Sequence, residues 1–118
     1  MLMGIDLKIL ASNFRERDGR MLSTASIRLD RDPRVLSLIA KDAAPIPPEL
    51  SIGHFEDEGL RYDRTDSRGN PLTFTTPEKL QQSQKILESI EETSQWNRAA
   101  VAYLLSLPPG SRIVLYWC

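Results

Sequence analysis

Three stretches of the chain carry the apolar pattern of strands. Residues 4–11 alternate isoleucine and leucine with charged residues, which is the period of a strand with one buried face. Residues 21–29 end in a similar alternation. Residues 112–118 contain five consecutive apolar residues, a run typical of an interior strand covered on both faces. We therefore expect a strand in each of these ranges.

Three other stretches have the spacing of helices. Residues 32–41 and 77–91 both start with a capping side chain followed by proline at the first helical position. The second has a sparse apolar stripe and is expected to face solvent mostly. Residues 94–107 carry the densest apolar face, on which Trp96 and Tyr103 are expected to be buried.

Turn residues divide the rest of the chain. Residues 13–20 are highly charged and predict an exposed loop, and residues 42–50 hold three prolines and predict an extended connector. Residues 50–75 alternate short apolar runs with glycine-containing turns, which predicts a β-hairpin or a three-stranded meander. The order of elements predicts one α+β domain over residues 1–118, with a mostly antiparallel sheet of about five to six strands and two or three helices on one face.

Composition excludes several classes of protein. The 118 residues are 41% hydrophobic and 26% charged, which is ordinary for a globular protein. The formal charge of -1 argues against binding to nucleic acid or to an anionic membrane, and no apolar run approaches the roughly 20 residues of a membrane span. The single cysteine, Cys118, cannot form an intrachain disulfide, which suits a reducing environment. We expect a cytoplasmic location.

The one histidine of the chain lies among acidic residues. His54, Glu56 and Glu58 are the weak candidates for general acid–base catalysis or for a divalent ion site. In an extended segment His54 and Glu56 point to one side and Asp57 to the other, so the acidic cluster is split. We favour a hydrated turn over residues 53–64, and we predict no metal site and no cofactor.

Familiar nucleophile and nucleotide motifs are missing from the sequence. It contains no G-x-S-x-G elbow, no Ser-x-x-Lys pair, and no glycine-rich phosphate loop. Cys118 follows an apolar strand, and a buried thiol has a raised pKa and low reactivity. The sequence motifs therefore assign no catalytic residue.

Arginine side chains on predicted loops form a candidate anion site. Guanidinium groups bind phosphate or carboxylate in a bidentate manner, and a nearby ring can stack on a base. The acidic residues interleaved with them favour a solvated surface instead. The candidate ligand-binding residues are Phe14, Arg15, Arg17 and Arg20 in the first loop, and Arg61, Arg64 and Arg68 in the second region.

These observations leave three functional hypotheses. The leading one is a small non-enzymatic interaction module of the immunity, antitoxin or phage accessory type, which binds a partner protein or a second copy of itself through its strands. The alternative is a protein that binds a small anion or nucleotide through the arginines of residues 13–20 and 61–68. The third is an enzyme built around His54.

Overall fold

The computed structural model describes residues 6–12, 19–23 and 25–118. The described residues form strands and helices in an α+β arrangement, as predicted. The strands are β1 (Leu7–Ser12), β2 (Arg20–Leu22), β3 (Ala25–Arg28), β4 (Ala44–Pro45), β5 (Ser51–Glu56), β6 (Gly59–Asp63), β7 (Thr73–Thr75) and β8 (Arg112–Trp117). The helices are α1 (Pro33–Ala40), α2 (Pro77–Gln82), α3 (Gln84–Ser89) and α4 (Gln95–Leu105).

The main sheet is antiparallel and is built around the C-terminal strand. Among the described residues its order is β3-β1-β8-β7-β4. The central strand β8 pairs with β1 along its whole length, from Leu7 opposite Trp117 to Ser12 opposite Arg112. The four residues at 113–116 are all buried. This confirms the prediction of an interior strand covered on both faces.

A smaller sheet of order β2-β5-β6 forms a separate layer. Strand β2 runs parallel to β5, and β5 joins β6 through the turn at Asp57 and Glu58. The predicted single strand at 21–29 is therefore wrong, because β2 belongs to the small sheet and β3 to the main sheet. The region 50–75 contains a hairpin and no meander, since β7 pairs with β8 and β4.

Successive residues of β1 and β8 point to opposite faces of the main sheet, and each face is covered. The helices pack on one face and the small sheet on the other, which confirms the prediction of helices on one side. The first core contains Leu7, Ile9, Leu29, Val35, Leu36, Ile39, Leu80, Leu87, Ala100, Leu104, Ile113 and Leu115. The second contains Leu10, Met21, Ile46, Leu50, Ile52, Leu72, Val114 and Tyr116.

Helix starts follow the capping signals in the sequence. The Asp32 side chain accepts a hydrogen bond from the Arg34 backbone N–H at 3.1 Å, and the Arg34 guanidinium lowers the pKa of the Asp32 carboxyl. The predicted helix over residues 77–91 is interrupted at Ser83, which divides it into α2 and α3. Among the described residues, no helix is long and apolar enough to cross a bilayer.

The buried side of α4 differs from the prediction. Trp96 and Tyr103 are 53% and 39% exposed, whereas Asn97, Ala100 and Leu104 are buried. The Trp96 indole N–H donates to the backbone oxygen of Arg28 at 2.6 Å, so the ring lies at the end of β3 and outside the core. Asn97 instead exchanges two hydrogen bonds with the backbone of Asp30, and these set the rotation of the helix.

Asn97→Ala should destabilise the fold. The side-chain oxygen of Asn97 accepts the Asp30 N–H at 2.8 Å, and its amide donates to the Asp30 oxygen at 3.1 Å. Its removal leaves both backbone groups without these partners, so we expect a loss of about 1–3 kcal/mol in the free energy of unfolding, measured with urea. The exposed Asn70→Ala should change it by less than about 0.5 kcal/mol. Equal effects of the two substitutions would contradict this account of Asn97.

Candidate functional site

The β5–β6 hairpin is inverted relative to the usual pattern of a surface hairpin. Its register places His54 opposite Arg61 and Phe55 opposite Leu60. His54 is 1% exposed, whereas Phe55 is 62% exposed. Apart from Ile52, which belongs to the second core, the hairpin therefore turns polar side chains toward the main sheet and apolar side chains toward solvent.

The polar side of the hairpin meets a buried lysine of the main sheet. We call this group the inner cluster; its members are Lys8, His54, Glu56, Asp63 and Tyr116. The Lys8 side chain is 8% exposed. Its ammonium lies 3.2 Å from His54 Nδ1, 3.2 Å from the backbone oxygen of Phe55 and 3.2 Å from Glu56 Oε1. Its charge is thus offset by a carboxylate and its hydrogens have acceptors, as a buried ammonium requires.

His54 uses both of its ring nitrogens inside the inner cluster. Nε2 lies 2.7 Å from Asp63 Oδ2, and a carboxylate can only accept, so the Nε2–H donates to Asp63. Nδ1 accepts from the Lys8 ammonium. Nδ1 also lies 3.4 Å from Glu56 Oε1. The ring also packs on Tyr116, with ring centroids 4.9 Å apart.

Tyr116 is a buried member of the inner cluster. Burial raises the pKa of the Tyr116 hydroxyl, and the carboxylates of Asp63 and Glu56 raise it further. The Lys8 ammonium lies 5.7 Å from the centroid of the Tyr116 ring, close enough for a cation–π interaction. The inner cluster thus joins the two sheets by charge, hydrogen bonds and ring contacts.

The inner cluster corrects part of the sequence interpretation. Asp57 and Glu58 are exposed at the turn, as a hydrated turn requires, but His54 is buried and two carboxylates gather around it. The structure brings His54 and Glu56 together and leaves Glu58 outside. Because both nitrogens of His54 are engaged and the ring is covered, this geometry offers no open lone pair for a substrate proton. The described residues contain no group of three or more metal-ligating side chains placed to hold an ion.

Sequence reasoning missed Lys8 and Asp63 as members of the cluster. The alternation in residues 4–11 placed Lys8 on a solvent-exposed face, but β1 is covered on both sides. Lys8 and His54 are 46 positions apart in the sequence. No local spacing signals such a pair, so only the packing of the two sheets reveals it.

The candidate arginines are distributed over several places. Arg20 starts β2 opposite Ser51, and Arg64 follows Asp63, whose partner is Ile52, so Arg20 and Arg64 lie at the same end of the small sheet. The Arg64 guanidinium donates to the Glu49 backbone oxygen at 3.5 Å.

The other candidates do not join that pair. Arg61 donates to Asp63 Oδ1 at 3.3 Å, beside the inner cluster. Arg68 belongs to a separate turn, where its backbone N–H donates to Asp66. Phe14, Arg15 and Arg17 lie outside the described residues.

The solvent side of the small sheet is apolar. We call it the outer face and define it by Leu22, Gly53, Phe55, Leu60 and Tyr62. The register puts Leu22 and Tyr62 on either side of Gly53, next to the Phe55–Leu60 pair. The exposures of the four large side chains are 39% for Leu22, 62% for Phe55, 45% for Leu60 and 43% for Tyr62. They form one contiguous surface.

Close packing fixes the centre of the outer face. A Cβ atom at Gly53 would lie 2.7 Å from Tyr62 Cε1, so the tyrosine ring rests directly on the glycine backbone. The Arg20 guanidinium lies 5.0 Å from the centroid of the same ring, on which it stacks. The aromatic ring is thus held in place between two neighbouring strands.

A pocket of about 420 Å³ lies on the opposite side of the molecule, among the helices. Its apolar lining includes Leu87 and Val101. Two polar side chains of its lining already have protein partners: Gln84 donates to Glu88 at 2.9 Å, and Arg98 donates to the Ile90 backbone oxygen at 3.1 Å. None of the candidate residues from the sequence lines this pocket.

The terminal cysteine has the character expected of a structural thiol. Burial raises the pKa of the Cys118 thiol, so little thiolate forms at neutral pH. The backbone of Cys118 exchanges two hydrogen bonds with Asp6, at 2.8 and 2.9 Å. Its main chain thereby extends the pairing of β8 with β1.

Comparison with known proteins gives no relative. No protein-family model, no curated protein and no solved structure matches the chain.

Lys8→Met should strongly destabilise the protein. It removes the cation that pairs with the Glu56 carboxylate and leaves His54 Nδ1 without its donor, so we expect a loss of about 2–4 kcal/mol in the free energy of unfolding. Lys85 is exposed on α3, and Lys85→Met should change it by less than about 0.5 kcal/mol. Chemical denaturation of both variants measures the difference. A Lys8→Met protein as stable as the Lys85 control would show that the inner cluster does not hold the sheets together.

Proposed function

We propose that the protein is a non-enzymatic interaction module and that the outer face is its docking surface. The observation that supports this most directly is the inversion of the β5–β6 hairpin. A hairpin on the surface of a monomer normally buries its apolar side and exposes its polar side. Here His54 occupies the buried position, while Phe55 and Leu60 remain in water.

A contiguous apolar surface has a different meaning from scattered exposed side chains. Single exposed apolar residues are normal, whereas adjoining ones mark a surface that another molecule covers. Phe55 and Leu60 are a directly opposed cross-strand pair, and Tyr62 adjoins them. Covering them removes apolar area from water at about 25 cal/mol per Å², which is the main driving force for protein association.

The outer face is also organised before any partner arrives. Tyr62 is fixed on Gly53 and under Arg20, so its ring loses little conformational freedom on binding. Aromatic side chains held in this way provide contact area at low entropic cost. A rigid surface of this kind suits a specific partner.

Charges at the two ends of the outer face define the chemistry of that partner. Arg20 and Arg64 lie at one end of β5, and Asp57 and Glu58 lie in the turn at the other end. The complementary protein surface has an apolar centre, an acidic group facing the arginines and a basic group facing the turn. In this proposal the chain resembles immunity, antitoxin or phage accessory proteins in acting by binding another protein, and it works in the cytoplasm.

Site-specific photo-crosslinking tests this function. A photoreactive phenylalanine at position 55 should form covalent adducts with protein in cells that make this chain. The same group at Ile86 is the control, because Ile86 is 52% exposed but lies on α3 in the helical layer. Leu60→Arg should abolish the adducts at position 55, since it places a charge in the apolar centre. Equal labelling from both positions, or labelling that survives Leu60→Arg, would refute the docking surface.

A small anionic ligand is the second candidate, favoured by one observation. Arg20 and Arg64 lie at the same end of the small sheet, on either side of Ser51 in the extended register. Two guanidinium groups and a hydroxyl in one row provide donors suited to phosphate or carboxylate. Of the seven candidate ligand-binding residues, these two arginines carry the proposal.

A thermal-shift screen with inorganic phosphate and nucleotides tests the anion site. Ligand at about 100 times its dissociation constant should stabilise the protein by about 2.7 kcal/mol. The stabilisation should vanish in Arg20→Glu/Arg64→Glu and persist in Lys41→Glu/Lys85→Glu, which reverses two exposed charges of the helical layer. A flat response from the unmodified protein would eliminate this candidate.

A further inference from the structure

We infer that the occupant of the outer face is a second copy of this chain, stacked face to face with its strands antiparallel. This rests on the proposed function of the outer face as a docking surface. The partner surface that the outer face requires has an apolar centre, one acidic end and one basic end. The outer face itself has these three parts in the same order.

Symmetry determines how two copies meet. A two-fold axis brings the same patch of both molecules together, so the patch must be complementary to itself. If the axis lies across the strands, the Arg20 end of one copy meets the Asp57 end of the other, at both ends of the interface. If the axis runs along the strands, arginines face arginines and carboxylates face carboxylates. Charge complementarity therefore selects the antiparallel stack.

The apolar centre suits the same arrangement. Sheets that pack face to face interdigitate the side chains of their inner surfaces at a separation of about 10 Å. Phe55 and Leu60 project from the sheet, whereas the Tyr62 ring rests on the Gly53 backbone beside them. The stack would make the small sheet an interior layer, as the main sheet already is.

The size of the face sets the strength of the association. With six residues in β5, the face is about 20 Å long and, across three strands, about 14 Å wide. Two such faces bury less than the roughly 1,200 Å² typical of stable complexes. We therefore expect a reversible dimer that forms as concentration rises.

Sedimentation equilibrium from about 10 μM to about 1 mM protein tests the dimer. The unmodified chain should pass from monomer to dimer, and Phe55→Glu should remain monomeric. Arg20→Glu/Arg64→Glu makes both ends acidic and should weaken self-association at least about tenfold, whereas Lys41→Glu/Lys85→Glu should not. Mixing the first double variant with Asp57→Arg/Glu58→Arg should restore association. Circular dichroism confirms that each variant is folded.

Cysteine cross-linking in a Cys118→Ser background tests the orientation. Ser51→Cys places a thiol at the basic end and Glu58→Cys places one at the acidic end. The antiparallel stack predicts that a short bis-maleimide links the two variants to each other in a mixture. Links within each variant on its own would overturn the antiparallel arrangement.

The results separate this inference from the function on which it rests. A chain that stays monomeric at every concentration overturns the inference. If photo-crosslinking from position 55 then still labels another protein, the docking function stands with a different partner. If position 55 labels nothing, both the inference and the proposed function fail.

Discussion

The burial of the Lys8 ammonium between two sheets is the interaction on which the arrangement of the small sheet depends. An ammonium taken out of water must be offset by negative charge and hydrogen-bond acceptors, or its desolvation would unfold the site. The Glu56 carboxylate, the Phe55 backbone oxygen and His54 Nδ1 satisfy that requirement, and all three belong to the hairpin. A cation on one sheet thus dictates which side of the other sheet faces inward. Tyr116 completes the joint by packing against the imidazole.

This constraint also determines what the protein shows to solvent. Successive residues of a strand point to opposite faces, so a hairpin that commits His54 to the interior must present Phe55 outside. If the strands of the hairpin were shifted by one residue, Phe55 and Leu60 would be buried, but the Lys8 ammonium would then lie among apolar side chains. The exposed apolar surface is therefore a consequence of the buried polar one. The two features that carry the functional argument are the two sides of a single hairpin.

Local sequence signals predicted where helices and strands lie better than they predicted which of their side chains are buried. Proline and capping residues marked the start of α1, and the five apolar residues of the C-terminal run marked the buried strand β8. The two exposed aromatics of α4 were not predictable, because Asn97 sets the rotation of that helix through Asp30, which lies 67 positions away. The inversion of the hairpin escaped prediction for the same reason. The polar side chains of the hairpin bond to a lysine of a distant strand. The periodicity of a sequence shows which residues share a face, but it does not show which residues they contact.

The geometry of the inner cluster bears on the choice between a docking surface and a catalytic site. A catalytic histidine must have one nitrogen within reach of a substrate or a nucleophile, whereas both nitrogens of His54 bond to Lys8 and Asp63 and its ring packs on Tyr116. What the closed cluster does provide is rigidity, because each of its polar groups ties the hairpin to the main sheet. Such rigidity favours binding at a docking surface, because little conformational entropy is lost when the surface is ordered in the complex. In the proposed function, the buried histidine therefore acts indirectly, by holding the opposite side of the hairpin in place as the docking surface.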